Sequence, residues 1–103
     1  MGKNTIYNFK LVTGEEFITR LISEDENTYV LDRPRNVMLA VDPSGRPQLQ
    51  LAPVTYCSDD EKPVVLNKSA VVCISSDIRE QMGNSYIESV SKIAIPQKKI
   101  ILG

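Results

Sequence analysis

The sequence predicts a small, mainly β domain followed by one C-terminal helix, and three observations lead there. Through most of the first 75 positions apolar and polar residues alternate, the period of strands buried on one face. Clusters of Gly, Pro, Asp and Asn cut these stretches into short pieces. From Ser75 onward the apolar period lengthens to that of a helix. With 103 residues, 42% of them hydrophobic, the chain fits one domain. Folding at this size hides about 65% of the extended surface, enough for one small core.

The elements follow in order. Tyr7, Phe9 and Leu11 share one side of a first strand over 5–12, and Thr13-Gly14-Glu15-Glu16 reads as a tight hairpin in which Gly14 takes positive φ. In the second strand Phe17, Thr19 and Leu21 oppose Ile18, Arg20 and Ile22; apolar groups on both faces predict a strand covered twice. Glu24-Asp25-Glu26-Asn27 is a polar turn, after which Thr28-Tyr29-Val30-Leu31 begins a third strand from residues of high β preference. Pro34 marks an edge or bend where pairing is interrupted. Residues 36–52, turning at Asp42-Pro43-Ser44-Gly45, form a long hairpin projecting from the body. A solvated loop over 53–63 precedes two more apolar runs, Val64-Val65-Leu66 and Ala70 to Ile74, separated by Asn67-Lys68-Ser69. Ile78, Met82, Tyr86, Val90 and Ile93 then recur at helical spacing, with Asp77 and Glu80 placed as a capping box, so a helix is expected over about 78–91. Gly83-Asn84 weakens its middle. Ile93-Ala94-Ile95-Pro96 reads as a last short strand, the domain spans 1–96, and 97–103 is a tail.

Composition removes several chemistries. Zero His leaves no histidine acid or base, no Ser-His-Asp triad and no His-ligated metal. Cys57 and Cys73, 16 apart and without a third soft ligand, read as free thiols of a reducing compartment. No apolar run suits a signal peptide or a membrane span, so a cytoplasmic location is expected, and the sequon at Asn67-Lys68-Ser69 carries no glycan there. No catalysis, cofactor or metal is expected; Asp59-Asp60-Glu61 has the pattern of a solvated loop. The net charge of -1 argues against a duplex DNA coat but permits a local strip for single strands.

Leu11, Gly14, Phe17, Leu21 and Asp25, followed by Tyr29-Val30-Leu31-Asp32, resemble the first motif of the Sm and Hfq family: a glycine hairpin, a bent second strand and an acidic turn. Asn67-Lys68-Ser69-Ala70-Val71 resembles the short turn before that family's last strand, with a Lys-x-Ala-apolar order closest to Hfq. Together these segments cover about 35 residues. The arrangement, with its helix at the C-terminus, is similar to small Sm-like proteins encoded by tailed marine bacteriophages. The resemblance implies a strongly bent five-stranded antiparallel sheet, a small open barrel, carrying the inserted hairpin. It further implies a homo-oligomeric ring of five to seven copies holding single-stranded RNA near its pore. By position the RNA-binding candidates are Asp25, Asn27, Thr28 and Tyr29 from the first turn, with Lys68 and Ser69 from the second. An aromatic face can stack on a base, an amide or hydroxyl can read its edge, and a lysine can neutralise phosphate. Arg33, Arg35 and Arg46 form a secondary basic strip on the hairpin.

The chain departs from the family at these same positions. Its acidic turn is one residue shorter than in Sm proteins, the Arg-Gly of their second motif is absent, and Asn67 and Ser69 replace the Tyr and His that flank the lysine in Hfq. Each candidate also has a plain structural reading: Tyr29 as a packed strand residue, Asp25 and Asn27 as turn formers, Lys68 as a solvated lysine, and the arginines as edge protection. Two functions therefore fit these residues, an RNA-binding ring and an oligomeric protein-interaction or structural module that has lost RNA binding.

Overall fold

The computed structural model describes residues 5–91. They form six strands, β1 (Ile6–Leu11), β2 (Glu16–Glu24), β3 (Thr28–Val41), β4 (Pro47–Pro53), β5 (Val64–Asn67) and β6 (Val71–Ser75), a 3-10 turn (Lys68–Ala70) and one helix, α1 (Glu80–Ser91). The mainly β class with a C-terminal helix is thus what the chain adopts. All pairings are antiparallel, in the order β6-β1-β2-β3, and the outer edge of β3 is shared. Its first half pairs with β5, from Thr28↔Asn67 to Leu31↔Val64, and its second half pairs with β4, from Arg35↔Pro53 to Val41↔Pro47.

Connectivity requires this sheet to curl. β5 and β6 lie at opposite ends of the path β5-β3-β2-β1-β6, a separation of about 19 Å in a flat sheet with strands about 4.8 Å apart. Yet Asn67 and Val71 are joined only by the three-residue 3-10 turn, and four Cα steps span at most about 15 Å. The two ends are drawn toward each other without pairing, so the sheet is bent but not closed into a barrel.

Two bulges between β2 and β3 contribute to the bend, beside a third register shift at Lys10/Leu11 between β1 and β6. Ile18 pairs with Arg35 but Arg20 with Asp32, so Thr19 faces the two residues Arg33 and Pro34; a second shift falls between Leu21 and Ser23. An unmatched residue kinks a strand and increases its twist. Arg33 takes a left-handed backbone, φ 45°, and Pro34, which has no N–H to offer a ladder, is accommodated beside it. The expected interruption at Pro34 is therefore a bulge inside one continuous 14-residue strand. At the first hairpin Gly14 has φ 96°, as its place in the turn requires.

Bending covers both faces of β2 around Ile18, as its sequence predicts, but leaves Ile22 exposed near the strand's end. The inner face gathers Tyr7, Phe9, Leu11, Phe17, Leu21, Tyr29 and Leu31, with Phe9 and Leu31 fully buried. Phe9 meets Tyr29 edge-on at 5.1 Å and Tyr7 at 6.4 Å between ring centres. On the outer face Ile18 packs with Met82, Tyr86 and Val90 of α1, flanked by Ile6, Val37, Leu51 and Ile78. Met82, Tyr86 and Val90 stand four apart, one stripe of a helix. α1 begins at Glu80, two residues later than expected, with the Arg79 carbonyl accepting from the N–H groups of Met82 and Gly83. It runs unbroken through Gly83-Asn84. The expected strand over 93–96, the tail and Ile93 of the apolar stripe lie outside the described residues.

Candidate nucleic-acid interface

The turn between β2 and β3 is organised by one carboxylate. Asp25 Oδ1 accepts from the N–H of Asn27 (2.8 Å), the N–H of Thr28 (2.7 Å) and the Thr28 hydroxyl (3.0 Å), while the Asp25 N–H donates to the Thr28 carbonyl (2.9 Å). Such bonds are why Asp and Asn suit turns. They stabilise the ionised form, and the Asn27 and Thr28 N–H groups hold the Asp25 carboxyl below the usual carboxylate range.

The second turn lies directly against the first. Thr28 pairs with Asn67 across β3 and β5, and the Lys68 N–H donates to the Asn27 carbonyl at 2.9 Å. Asp25, Asn27, Thr28 and Tyr29 on one side, Lys68 and Ser69 on the other, about forty positions apart in sequence, thus occupy one end of the sheet. The Lys68 ammonium sits 2.8 Å from Glu24 Oε2 and 4.8 Å from the centre of the Tyr29 ring. Its bond to Glu24 raises the Lys68 pKa above the ordinary lysine value, so it remains a cation throughout the physiological range.

The chemistry of the six is uneven. Tyr29 is 8% exposed and its ring belongs to the inner core, so it supports Lys68 rather than presenting a free stacking face. Asn27 and Ser69 are exposed, the first offering an amide and the second a hydroxyl. Glu24, Asp25 and Glu26 outnumber Lys68, leaving this end of the chain acidic. Glu24 is the residue that sequence reasoning missed; its partner stands 44 positions away, and no local pattern signals a pair of that span.

The secondary strip is not brought together. Arg33 bonds Asp32 Oδ1 at 3.0 Å and Oδ2 at 3.3 Å, and its Nη1 donates to the Val90 carbonyl at 2.8 Å, closing the last turn of α1. Arg35 is buried; its guanidinium makes a forked pair with Asp60 at 2.8 and 3.0 Å and donates from Nε to Ser89 Oγ at 3.2 Å. Only Arg46 belongs to the hairpin tip. There Asp42 Oδ1 accepts from the N–H of Ser44 (3.0 Å) and the N–H of Arg46 (2.8 Å), while Gly45 has φ 88°.

Among the described residues no group of three or more His, Cys, Asp or Glu is gathered to hold a metal ion, and no helix is long and apolar enough to cross a membrane. Cys57 and Cys73 are free and exposed. In comparison with known proteins, the chain matches no family model and no curated protein.

Proposed function

We propose that this chain is an Sm-like protein that assembles edge to edge into a ring of five to seven copies and binds single-stranded RNA without catalysis. The observation that supports it most is the Lys68 N–H to Asn27 carbonyl bond beside the Thr28↔Asn67 pair, which sets the two resembling turns side by side. Assembly has a physical rationale in the outer edges of β5 and β6, each lacking a neighbour within the described chain and bearing exposed Val65 and Val72. In contrast β4 begins at Pro47 and ends at Pro53, residues that discourage pairing. On the turn face Asn27 and Ser69 are the groups available to read base edges, and Lys68 contacts phosphate once it exchanges Glu24 for it. As a noncatalytic RNA scaffold the ring acts in the cytoplasm, that of a bacterial host if a phage encodes it.

A second reading is favoured by the engagement of Lys68 with Glu24 and the burial of Tyr29. On that reading the ring is a protein-interaction module. Fluorescence anisotropy of labelled uridine-rich and adenosine-rich strands across a salt series separates the two, with native mass measured in parallel. Micromolar binding with a base preference that survives moderate salt, lost in Lys68→Ala at unchanged mass, supports RNA. Binding without preference that vanishes with salt selects the interaction module, and a concentration-independent monomer sinks both.

A further inference from the structure

Where the hairpin arm formed by β4 and the second half of β3 meets the start of α1, the outer core does not close. Ile18, Val37, Leu49 and Met82 floor a groove of about 300 Å³. Its rim carries Glu16 and Asp77 against Arg79. Leu49 remains 45% exposed, and on the same face of the arm its cross-strand partner Leu39 and, further along, Val41 are about 70% exposed. The groove therefore prolongs a packed layer instead of standing alone as a scatter of surface residues.

Sequence and charge name the occupant. All 13 acidic residues lie within 5–91, whereas the 12 residues after Ser91 hold three lysines and no acid. The same segment contains Ile93, Ile95, Ile100, Ile101 and Leu102, apolar surface in need of burial. It departs from the end of α1 held by Arg33, and α1 is about 18 Å long at about 1.5 Å per residue. Nine to eleven further residues reach about 30 Å or more, so Ile100 to Leu102 can return to the Met82 end of the helix. An apolar, basic segment thus has within reach an apolar groove on an acid-rich body.

We infer that Ile100-Ile101-Leu102 of the chain's own C-terminal segment fill the groove between the arm and α1, with Lys98 and Lys99 toward Glu16 and Asp77. The test uses the full chain with Ile, Leu and Met methyls labelled. Contacts between the Ile100 or Ile101 methyls and those of Leu49 and Met82 are expected in methyl NOE spectra. Ile101→Asp should abolish them and move the Leu49 and Met82 signals, and Leu49→Lys should abolish them from the other side. Ile100 and Ile101 signals at random-coil positions, without contacts to the groove, overturn the inference. A mixture of labelled and unlabelled chains distinguishes the source; contacts arising only between chains place the segment in a neighbouring copy's groove and overturn it equally.

Discussion

The two faces of β2 differ in what each needs. The buried inner core draws on β1, β2 and β3, with Phe9 and Leu31 fully buried, and Val54, Val64, Leu66, Val71 and Ile74 pack against it. The outer core joins one strand residue, Ile18, to three helix residues. It depends on polar fasteners: the fully buried Tyr86 donates its hydroxyl proton to the Asp32 carbonyl and accepts from the Arg20 N–H, and Arg33 grips the Val90 carbonyl. Burial, and secondarily the charge of Asp32, keeps the Tyr86 phenol protonated beyond its ordinary range, as this donor role requires. The contrast teaches that the inner core is closed by the sheet on itself, whereas the outer core exists only where α1 is seated on β2.

The sharpest way to break this comparison is to empty each layer in turn. Phe9→Ala is expected to cost about 3–5 kcal/mol and to unfold sheet and helix together, read by urea denaturation followed through both near-UV and far-UV circular dichroism. Met82→Ala should cost about 2 kcal/mol, the low end for such a truncation because the site borders an open groove. Hydrogen exchange should then accelerate in α1 while the β1–β2 amides stay protected. Equal loss of protection in both would show that the two layers are one unit. Tyr86→Phe keeps the ring and removes the hydroxyl, leaving the Asp32 carbonyl with the Thr19 hydroxyl at 3.2 Å; about 1 kcal/mol is expected, again confined to α1 by exchange.

The smallest effect is a pH dependence at the loop. The bond to Arg35 holds the Asp60 carboxyl below the usual range against the opposing effect of burial. A depressed folded-state value means the contribution is fully present above the ordinary aspartate pKa. It fades as pH falls below about 4 toward the depressed value. Asp60→Asn should flatten the stability curve in that window, measured by denaturant midpoints, and leave the neutral-pH sheet intact. An unaltered acid limb would remove Asp60 from the account.

Legibility in the sequence followed the range of the cause. Alternation at Tyr7-Phe9-Leu11 and the helical stripe of Met82, Tyr86 and Val90 report local geometry, so the strands and α1 were readable within a residue or two. The second covered face of β2 was readable from Ile18, but Ile22, which gave the same signal, lies at the second bulge and is 42% exposed. What failed to show were properties set across the sheet: the bulge opposite Thr19, the capture of Lys68 by Glu24, and the inward fates of Arg33 and Arg35, which three arginines in 33–46 do not betray. At the candidate site the gathering of the two turns was legible through a family resemblance, but the burial of Tyr29 depended on Phe9, a partner twenty positions away across the sheet.

Arg33 has a consequence of its own for mechanics. Its left-handed backbone costs a residue with a side chain about 1–2 kcal/mol, while its guanidinium is tied to the end of α1. One amino acid therefore sets both the kink of the strand and the hold on the helix. It does so at the point where β3 passes from its β5 half to its β4 half, so the seat of α1 and the direction in which the arm leaves the sheet are fixed at a single position of a continuous strand.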